Sequence, residues 1–348
     1  MTNALRFATV ALGALALAAC GNSGSGGGGS QTINVVGSST VYPFATVVSE
    51  AFTRNFPDFS APLVESNGTG AGISLFCSGT GAQTPSIANA SRRMKISEFE
   101  SCQANGVTDV VEIQIGMDGV VLASAIGGLD LQLTPAMVYR AMAANPYGEA
   151  QTTRTWADVD PSLPALPILV YGPPTTSGTR DSFEELIMMA GCDANPAMAT
   201  LKDQDADRHD QVCTEVRSDG PYVDQGEQDN LIVQKIAGNP NAVGVFGFSY
   251  LEENLDRVRG VPLGGIEPTY DNLASFAYPG ARAMFIYVKK AHVDAVPGLR
   301  EFLAAWSESW GRDGSLAQIG LVVNPDDVMA RSNAAVTELP VMTAADFE

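Results

Sequence analysis

Only two histidines, His209 and His292, occur in 348 residues, and no Cys-x-x-Cys pair accompanies them. The usual ligand sets for zinc are therefore missing, and a serine–histidine–carboxylate relay has no recognisable base. Gly-x-Ser-x-Gly is absent, as is the Gly-Lys-Ser/Thr ending of a nucleotide-binding phosphate loop. Positive charge is also scarce. Twenty Lys and Arg face 39 Asp and Glu, for a net charge of −19, and no basic run or stripe appears, which excludes nucleic acid as a partner. Beyond residue 20 no segment is apolar enough to span a bilayer. The expectations are no catalysis, no cofactor and no metal.

What is present begins with an export signal. Arg6 supplies a sparse positive start and residues 10–19 form a short apolar run. The run ends in Leu17-Ala18-Ala19-Cys20, which resembles the lipobox of bacterial lipoproteins. The resemblance implies a signal peptide over 1–19, cleavage before Cys20, and lipid on its sulfur and amine. An ordinary secretory signal followed by a chance cysteine is the other reading. Residues 22–30 are rich in Gly and Ser, so 20–30 reads as an anchor and flexible tether. The remaining body is expected outside the cytoplasm, periplasmic and held at a membrane, and monomeric.

Four further cysteines, Cys77, Cys102, Cys192 and Cys213, allow two disulfides in three pairings. Local pairing, Cys77 with Cys102 and Cys192 with Cys213, is expected. Each would close a loop of roughly 20–25 residues, worth about 3 kcal/mol in the chain-entropy model.

The body alternates strand and helix. Strands are predicted over 33–36, 62–65, 86–89, 110–115, 120–125, 168–171, 243–246 and 282–289. Helices are predicted over 44–55, from the glycine turn through Phe76, from a capping box at Ser97 and Glu100, from Thr134-Pro135 to Met142, and over 178–190, 231–237 and 299–310. Residues 193–230 read as polar and irregular. Alternation of this kind predicts an α/β fold with mostly parallel sheets, whose ligands lie at the carboxyl ends of the strands.

Three loops at such ends are rich in neutral donors. Ser38-Ser39-Thr40 follows the first strand, with Pro43 at a helix start. Gly68-Thr69-Gly70-Ala71-Gly72 follows the second and suits a backbone nest. Ser177-Gly178-Thr179-Arg180 opens a helix, and Arg180 adds a guanidinium fork. Each motif also serves as a plain helix cap or tight turn, with Arg180 then paired to Asp181 or Glu184 on a surface. Together they suit a small oxyanion. The global charge opposes an anion, but exposed charges beyond about 8–10 Å are screened, so local donors decide. Ser91 and Arg92 follow another strand. Asp118 stands alone between apolar stretches, an unusual place for a carboxylate; it either accepts a ligand proton or caps a turn. The carboxylates of residues 218–230 lack the calcium-loop spacing and read as a solvated loop.

In this order, Gly37-Ser38-Ser39-Thr40-Val41-Tyr42-Pro43, Gly68-Thr69-Gly70-Ala71-Gly72, Asn89-Ala90-Ser91-Arg92, Ile115-Gly116-Met117-Asp118-Gly119, Ser177-Gly178-Thr179-Arg180 and Val243-Gly244-Val245-Phe246-Gly247 resemble the phosphate-binding proteins of bacterial ABC phosphate uptake systems. The resemblance covers nearly all of residues 31–335. It implies the type 2 periplasmic-binding-protein fold, with lobe I in 31–120 and 268–348 and lobe II in 121–267. It implies capture of inorganic phosphate, delivery to the subunits of a membrane permease, and a ligand set of Ser39, Thr40, Thr69, Gly70, Ser91, Ser177, Gly178, Thr179 and Arg180. Two departures stand out. Arg92 occupies the place where many members have a proton-accepting Asp, for which Asp118 is the candidate substitute. No arginine precedes the Ser-Gly-Thr turn, so Arg180 must serve. The alternatives are a binding protein for sulfate or arsenate, and an exported phosphatase.

Overall fold

The structure, a computed structural model, describes residues 32–81, 83–226 and 228–347. The signal segment, Cys20 and the tether lie outside the described residues. Among the described residues nine strands appear: β1 Asn34–Gly37, β2 Leu63–Ser66, β3 Ile87–Ala90, β4 Val110–Ala125, β5 Val170–Gly172, β6 Tyr222–Asp224, β7 Val243–Gly247, β8 Val258–Gly260 and β9 Ala281–Lys289. They join in the order β2-β1-β3-β9-β4-β7-β5-β6, with β8 also paired to β4. One half, lobe I, holds β1, β2, β3, β9 and the start of β4, which pairs with β9 from Val110 to Gly119. The other, lobe II, begins where β4 turns to β7 and β8 from Val120 onward. The chain thus leaves lobe I along β4 and re-enters it in β9.

Lobe I is layered. Helix α1, Tyr42–Asn55, buries Phe44, Ala45, Val48 and Phe52 at helical spacing, with Pro43 in its first turn. These residues pack with Ile113, Ile286, Phe302 and Trp306 on one face of the sheet. Helices α2, Thr69–Phe76, and α3, Ile96–Ala104, cover the other face through Ile73, Phe76 and Phe99. Lobe II has its own core around Tyr139, Trp156, Phe183 and Phe246. Disulfides join Cys77 to Cys102, tying α2 to α3, and Cys192 to Cys213.

Several expectations need correction. The sheet is mixed rather than mostly parallel, because the long strands β4 and β9 run antiparallel to each other and to their neighbours. Met117-Asp118-Gly119 is not a link between two strands. It lies inside β4, which continues through a bulge between Gln114 and Gly116, so Asp118 caps no turn. Residues 193–230 are not irregular. They hold helices Pro196–Gln204 and Ala206–Thr214, capped by Asn195 and Asp205, and then β6. Those helices bury little beyond Met198, His209, Val212 and Cys213, so their apolar stripe is too thin to read. The helix expected to start at Ser97 begins at Ile96, and Glu98 rather than Glu100 folds back to accept the Lys95 N–H at 2.8 Å. The helix from Gly178 runs through a π-helical segment, Phe183–Met188, to Met189–Asp193.

Candidate functional site

The polar groups of the predicted loops gather at the carboxyl ends of β1, β2, β3 and β5. Backbone packing explains how they come so close. Gly37, at φ +130°, ends β1 against β3, and a Cβ there would meet the Asn89 carbonyl oxygen at 2.1 Å. Gly178 fits directly against the first loop: a Cβ on it would sit 2.8 Å from Thr40 Cα and 3.3 Å from Ser39 O. The start of a lobe II helix therefore touches the lobe I turn, backbone to backbone.

Across that contact runs a hydrogen-bonded cluster. The Ser39 hydroxyl donates to the Asp181 carboxylate, from one lobe to the other. Arg282, at the start of β9, is 9 % exposed. Its guanidinium donates to Thr40 Oγ1 and Ser182 Oγ, each at 2.8 Å, to Asp118 Oδ2 at 3.3 Å, and to the Glu185 carboxylate. Ser182 in turn donates to Asp118. Strand register sets the ion pair, since Asp118 of β4 lies opposite Arg282 of β9. Beside this cluster, Thr69 Oγ1 and Ser91 Oγ are 3.0 Å apart, and the Ser91 N–H donates to Thr69 Oγ1 at 3.1 Å. A Cβ on Gly70 would lie 3.8 Å from an Arg92 nitrogen.

Two arginines take positions that the sequence does not announce. Arg180 is buried inside lobe II, not on a surface. It donates to Glu184 at 2.5 Å and to the Pro173 carbonyl at 3.4 Å, and it stacks on the Tyr222 ring at 4.5 Å. It does not join the Ser39, Thr40 and Asp118 cluster; Arg282 does, and sequence reasoning missed it. A signal existed. A carboxylate inside a buried strand needs a cation, and Arg282 is the one arginine of β9, whose other cation, Lys289, stands at the far end of the strand. Arg92 is claimed by Glu98 through two hydrogen bonds of 2.8 and 2.9 Å. Ser177 caps its helix by accepting the Thr179 N–H at 3.2 Å.

Four carboxyls, Asp118, Asp181, Glu184 and Glu185, and two guanidiniums, Arg180 and Arg282, occupy this region. Burial pushes the Asp181 carboxyl above its ordinary value; Glu185 adds to the rise, while Ser39, Arg282 and Arg180 oppose it. Burial also raises Glu184, against the pull of Arg180. Burial works against the charge on Glu98, but the Arg92 and Lys95 hydrogen bonds outweigh it and hold the carboxyl low.

Outside the site, Asp193, His209 and Cys213 place ligand-type atoms within 4.8 Å of one another. Cys213 is already bonded to Cys192, and His209 is held by Asp193 at 2.8 Å. In the 218–230 tract, Asp219 clamps Arg217 and Arg154 at 2.5–2.8 Å. These hydrogen bonds, Arg217 first, hold its carboxyl far below the usual range.

Residues 22–307 match the PBP superfamily domain. The chain belongs to the PBP superfamily. Its superfamily relatives include Protein SphX of Synechococcus elongatus, 31% identical over 268 residues, which are 74% of this chain and 69% of the relative. Another is the phosphate-binding protein PstS of Staphylococcus saprophyticus, 28% identical over 327 residues, 92% of this chain and 89% of the relative. Among solved structures, a possible phosphate binding protein from Planctomyces limnophilus superposes with a TM-score of 0.70 at 26% identity, covering 88% of this chain and 98% of that one. The fold is the type 2 periplasmic-binding-protein fold. No helix among the described residues is long and apolar enough to cross a membrane.

Proposed function

We propose that this superfamily member is the extracytoplasmic receptor of an ABC phosphate uptake system. It binds inorganic phosphate between its lobes and presents the closed form to the permease. The observation that carries this reading is the cross-lobe cluster, in which hydroxyls of both lobes and a buried guanidinium converge at strand ends. The names of the relatives point the same way.

In this reading, residues 31–120 and 268–348 move against 121–267. Lobe I offers Ser39, Thr40, Thr69, Gly70 and Ser91, and lobe II offers Ser177, Gly178 and Thr179. Arg282 supplies the positive charge, Asp118 holds it in place, and Arg180 supports the Ser-Gly-Thr turn from behind. A dehydrated anion is stable there only if nearly every oxygen is hydrogen-bonded, and it favours the closed form only by its extra contacts with that form. The hydroxyls act as donors rather than nucleophiles, so no turnover belongs to this function. Lipid on Cys20 and the tether of 20–30 would hold a monomeric body at the membrane. Arg92 still stands where many members have an accepting Asp, although its guanidinium is held by Glu98 at 2.8 Å; the names of the relatives favour phosphate over sulfate.

Residues 31–348 form one compact unit suited to calorimetry after removal of bound ligand. Tight one-to-one phosphate binding that ignores excess sulfate is the expected result. Binding abolished by sulfate would reassign the ligand to oxyanions in general. No heat with either anion, from folded protein, would overturn the reading.

A further inference from the structure

The lobe II disulfide is surrounded by metal-ligand chemistry. Cys192 and Cys213 are fully buried, and so is His209, which stands one turn before Cys213 on the same face of helix Ala206–Thr214. Cys192 and Asp193 end the neighbouring helix, Met189–Asp193. A carboxylate oxygen of Asp193, a ring nitrogen of His209 and the sulfur of Cys213 lie within 4.8 Å of one another. The disulfide brings the Cys192 sulfur to the same point, with the two cysteine Cα atoms 5.3 Å apart. Among the described residues, no comparable set surrounds Cys77 and Cys102.

Two thiolates, an imidazole and a carboxylate are ligand types of a tetrahedral zinc site. In the oxidised protein the sulfurs are spent on each other, so the set lacks its thiolates. Opening the S–S bond would supply them. The histidine is already oriented for ligation. Its Nε2 faces Asp193 Oδ1 at 2.8 Å, and its Nδ1 faces Asp210 Oδ1 at 3.2 Å. An ion between Nε2 and Asp193 leaves the ring hydrogen on Nδ1, where Asp210 accepts it. A carboxylate on the second nitrogen is the usual support of a metal-bound histidine. Asp193 reaches solvent and gives the ion a way in. Lys202 Nζ, 3.9 Å from Asp193 Oδ2 on a largely exposed side chain, can swing aside.

We propose that opening this disulfide creates a zinc site of Cys192, Asp193, His209 and Cys213, which keeps the two helices joined once the covalent link is gone. A dithiol opens the bond by exchange. Its two sulfurs join each other, and two electrons and two hydrogens pass to Cys192 and Cys213. Zinc then displaces both thiol protons. Reoxidation rebuilds the S–S bond and releases the ion, so metal and disulfide are alternative clamps at one point. The proposal does not depend on the phosphate reading.

The test is to reduce the protein with a phosphine under nitrogen, remove the reductant, and titrate with Co2+ as spectroscopic probe and then with Zn2+. The expected result is one Co2+ per chain, showing thiolate-to-cobalt charge transfer and the strong visible bands of tetrahedral cobalt, all lost as Zn2+ displaces it. The oxidised protein should show none of these bands. Zn2+ should raise the melting temperature of the reduced protein and leave that of the oxidised protein unchanged. Asp210→Asn should weaken zinc binding by about tenfold, as for loss of a group supporting a ligand, and Asp193→Asn, at an exposed position, should weaken it further. Reduced wild type without thiolate–cobalt bands would overturn the proposal. So would bands that persist unchanged in both Asp193→Asn and His209→Gln, or that vanish in a folded Cys77→Ser/Cys102→Ser variant. A chain that reduction unfolds and zinc fails to refold would overturn it as well.

Discussion

A buried guanidinium must find acceptors for its N–H groups, and the acceptors show which way each arginine faces. Arg282 finds Thr40, Ser182, Asp118 and Glu185 at the junction of the lobes. Arg180, in the more conspicuous motif, finds Glu184, Pro173 and Tyr222 inside lobe II. The two therefore respond differently to truncation. Arg282→Ala should weaken phosphate binding by about 10- to 100-fold, the worth of hydrogen bonds to a charged group. Arg282→Lys should recover only part of this, since an ammonium lacks the planar fork. Arg180→Ala should instead lower the melting temperature, because it strands Glu184 in a partly buried site. Titration and thermal melting of the variants check both statements. The arginine roles reverse if Arg180→Ala loses affinity without losing stability while Arg282→Ala binds normally. Arg282 was hard to read because one charged residue in a strand signals nothing by itself. Its meaning comes from Asp118 across the β4–β9 register, a pairing between residues 164 positions apart.

At the scale of elements, two glycines make close approaches of different kinds. Gly72 lets α2 lie on β1: an added Cβ would stand 2.3 Å from Gly37 Cα, within lobe I. Gly178 makes its approach across the cleft, to Thr40 Cα at 2.8 Å. Gly72→Ala should lower stability by about 1–3 kcal/mol, the usual cost of overpacking, visible as a lower urea midpoint. Gly178→Ala should leave the midpoint nearly unchanged and weaken phosphate binding by about tenfold, because the closed state becomes rarer and apparent affinity falls with its population. Equal loss of stability in both variants would mean that the Gly178 contact belongs to the fold rather than to closure. The local pattern was enough to place α1 and α2, since proline, glycine and apolar spacing act within one turn. It was insufficient for β4, where a Met-Asp-Gly sequence looks like a turn until Arg282 neutralises the carboxylate and the strand runs on.

For the whole molecule, lobe I carries a buried base far from the cleft. Lys289 ends β9 with no exposure. Its ammonium nitrogen lies 2.5 Å from the Gly79 carbonyl, 2.8 Å from Thr84 Oγ1 and 5.0 Å from the Phe76 ring centre, pinning the segment after Cys77. Burial lowers its pKa from 10.5 to about 8, against a small opposing pull from Asp109. Between those values the unfolded chain holds the proton more firmly than the folded one. Stability from this group therefore rises with pH from about 8 toward 10.5. Urea unfolding of wild type and Lys289→Met between pH 8 and 10 should show wild type gaining on the variant as pH increases. A constant difference across that range would show that Lys289 does not titrate there. The window stops at about pH 10, where the ordinary tyrosine ionisation enters.

By itself the sequence determined what acts over short distances: the alternation of strand and helix, Pro43 and the Thr134-Pro135 helix start, the local cysteine pairs, and three donor-rich loops at strand ends. Each rests on spacing within a turn, a strand or a short loop. Tertiary structure alone decided which polar groups meet. The antiparallel β4–β9 pairing sets Asp118 against Arg282, the packing of the first loop against the Gly178 helix sets Ser39 against Asp181, and Arg180 and Arg92 turn toward Glu184 and Glu98. The physical reason is that a charge seeks its partner through space. Nothing in the local pattern records which of several carboxylates or arginines will be nearest once two lobes have packed.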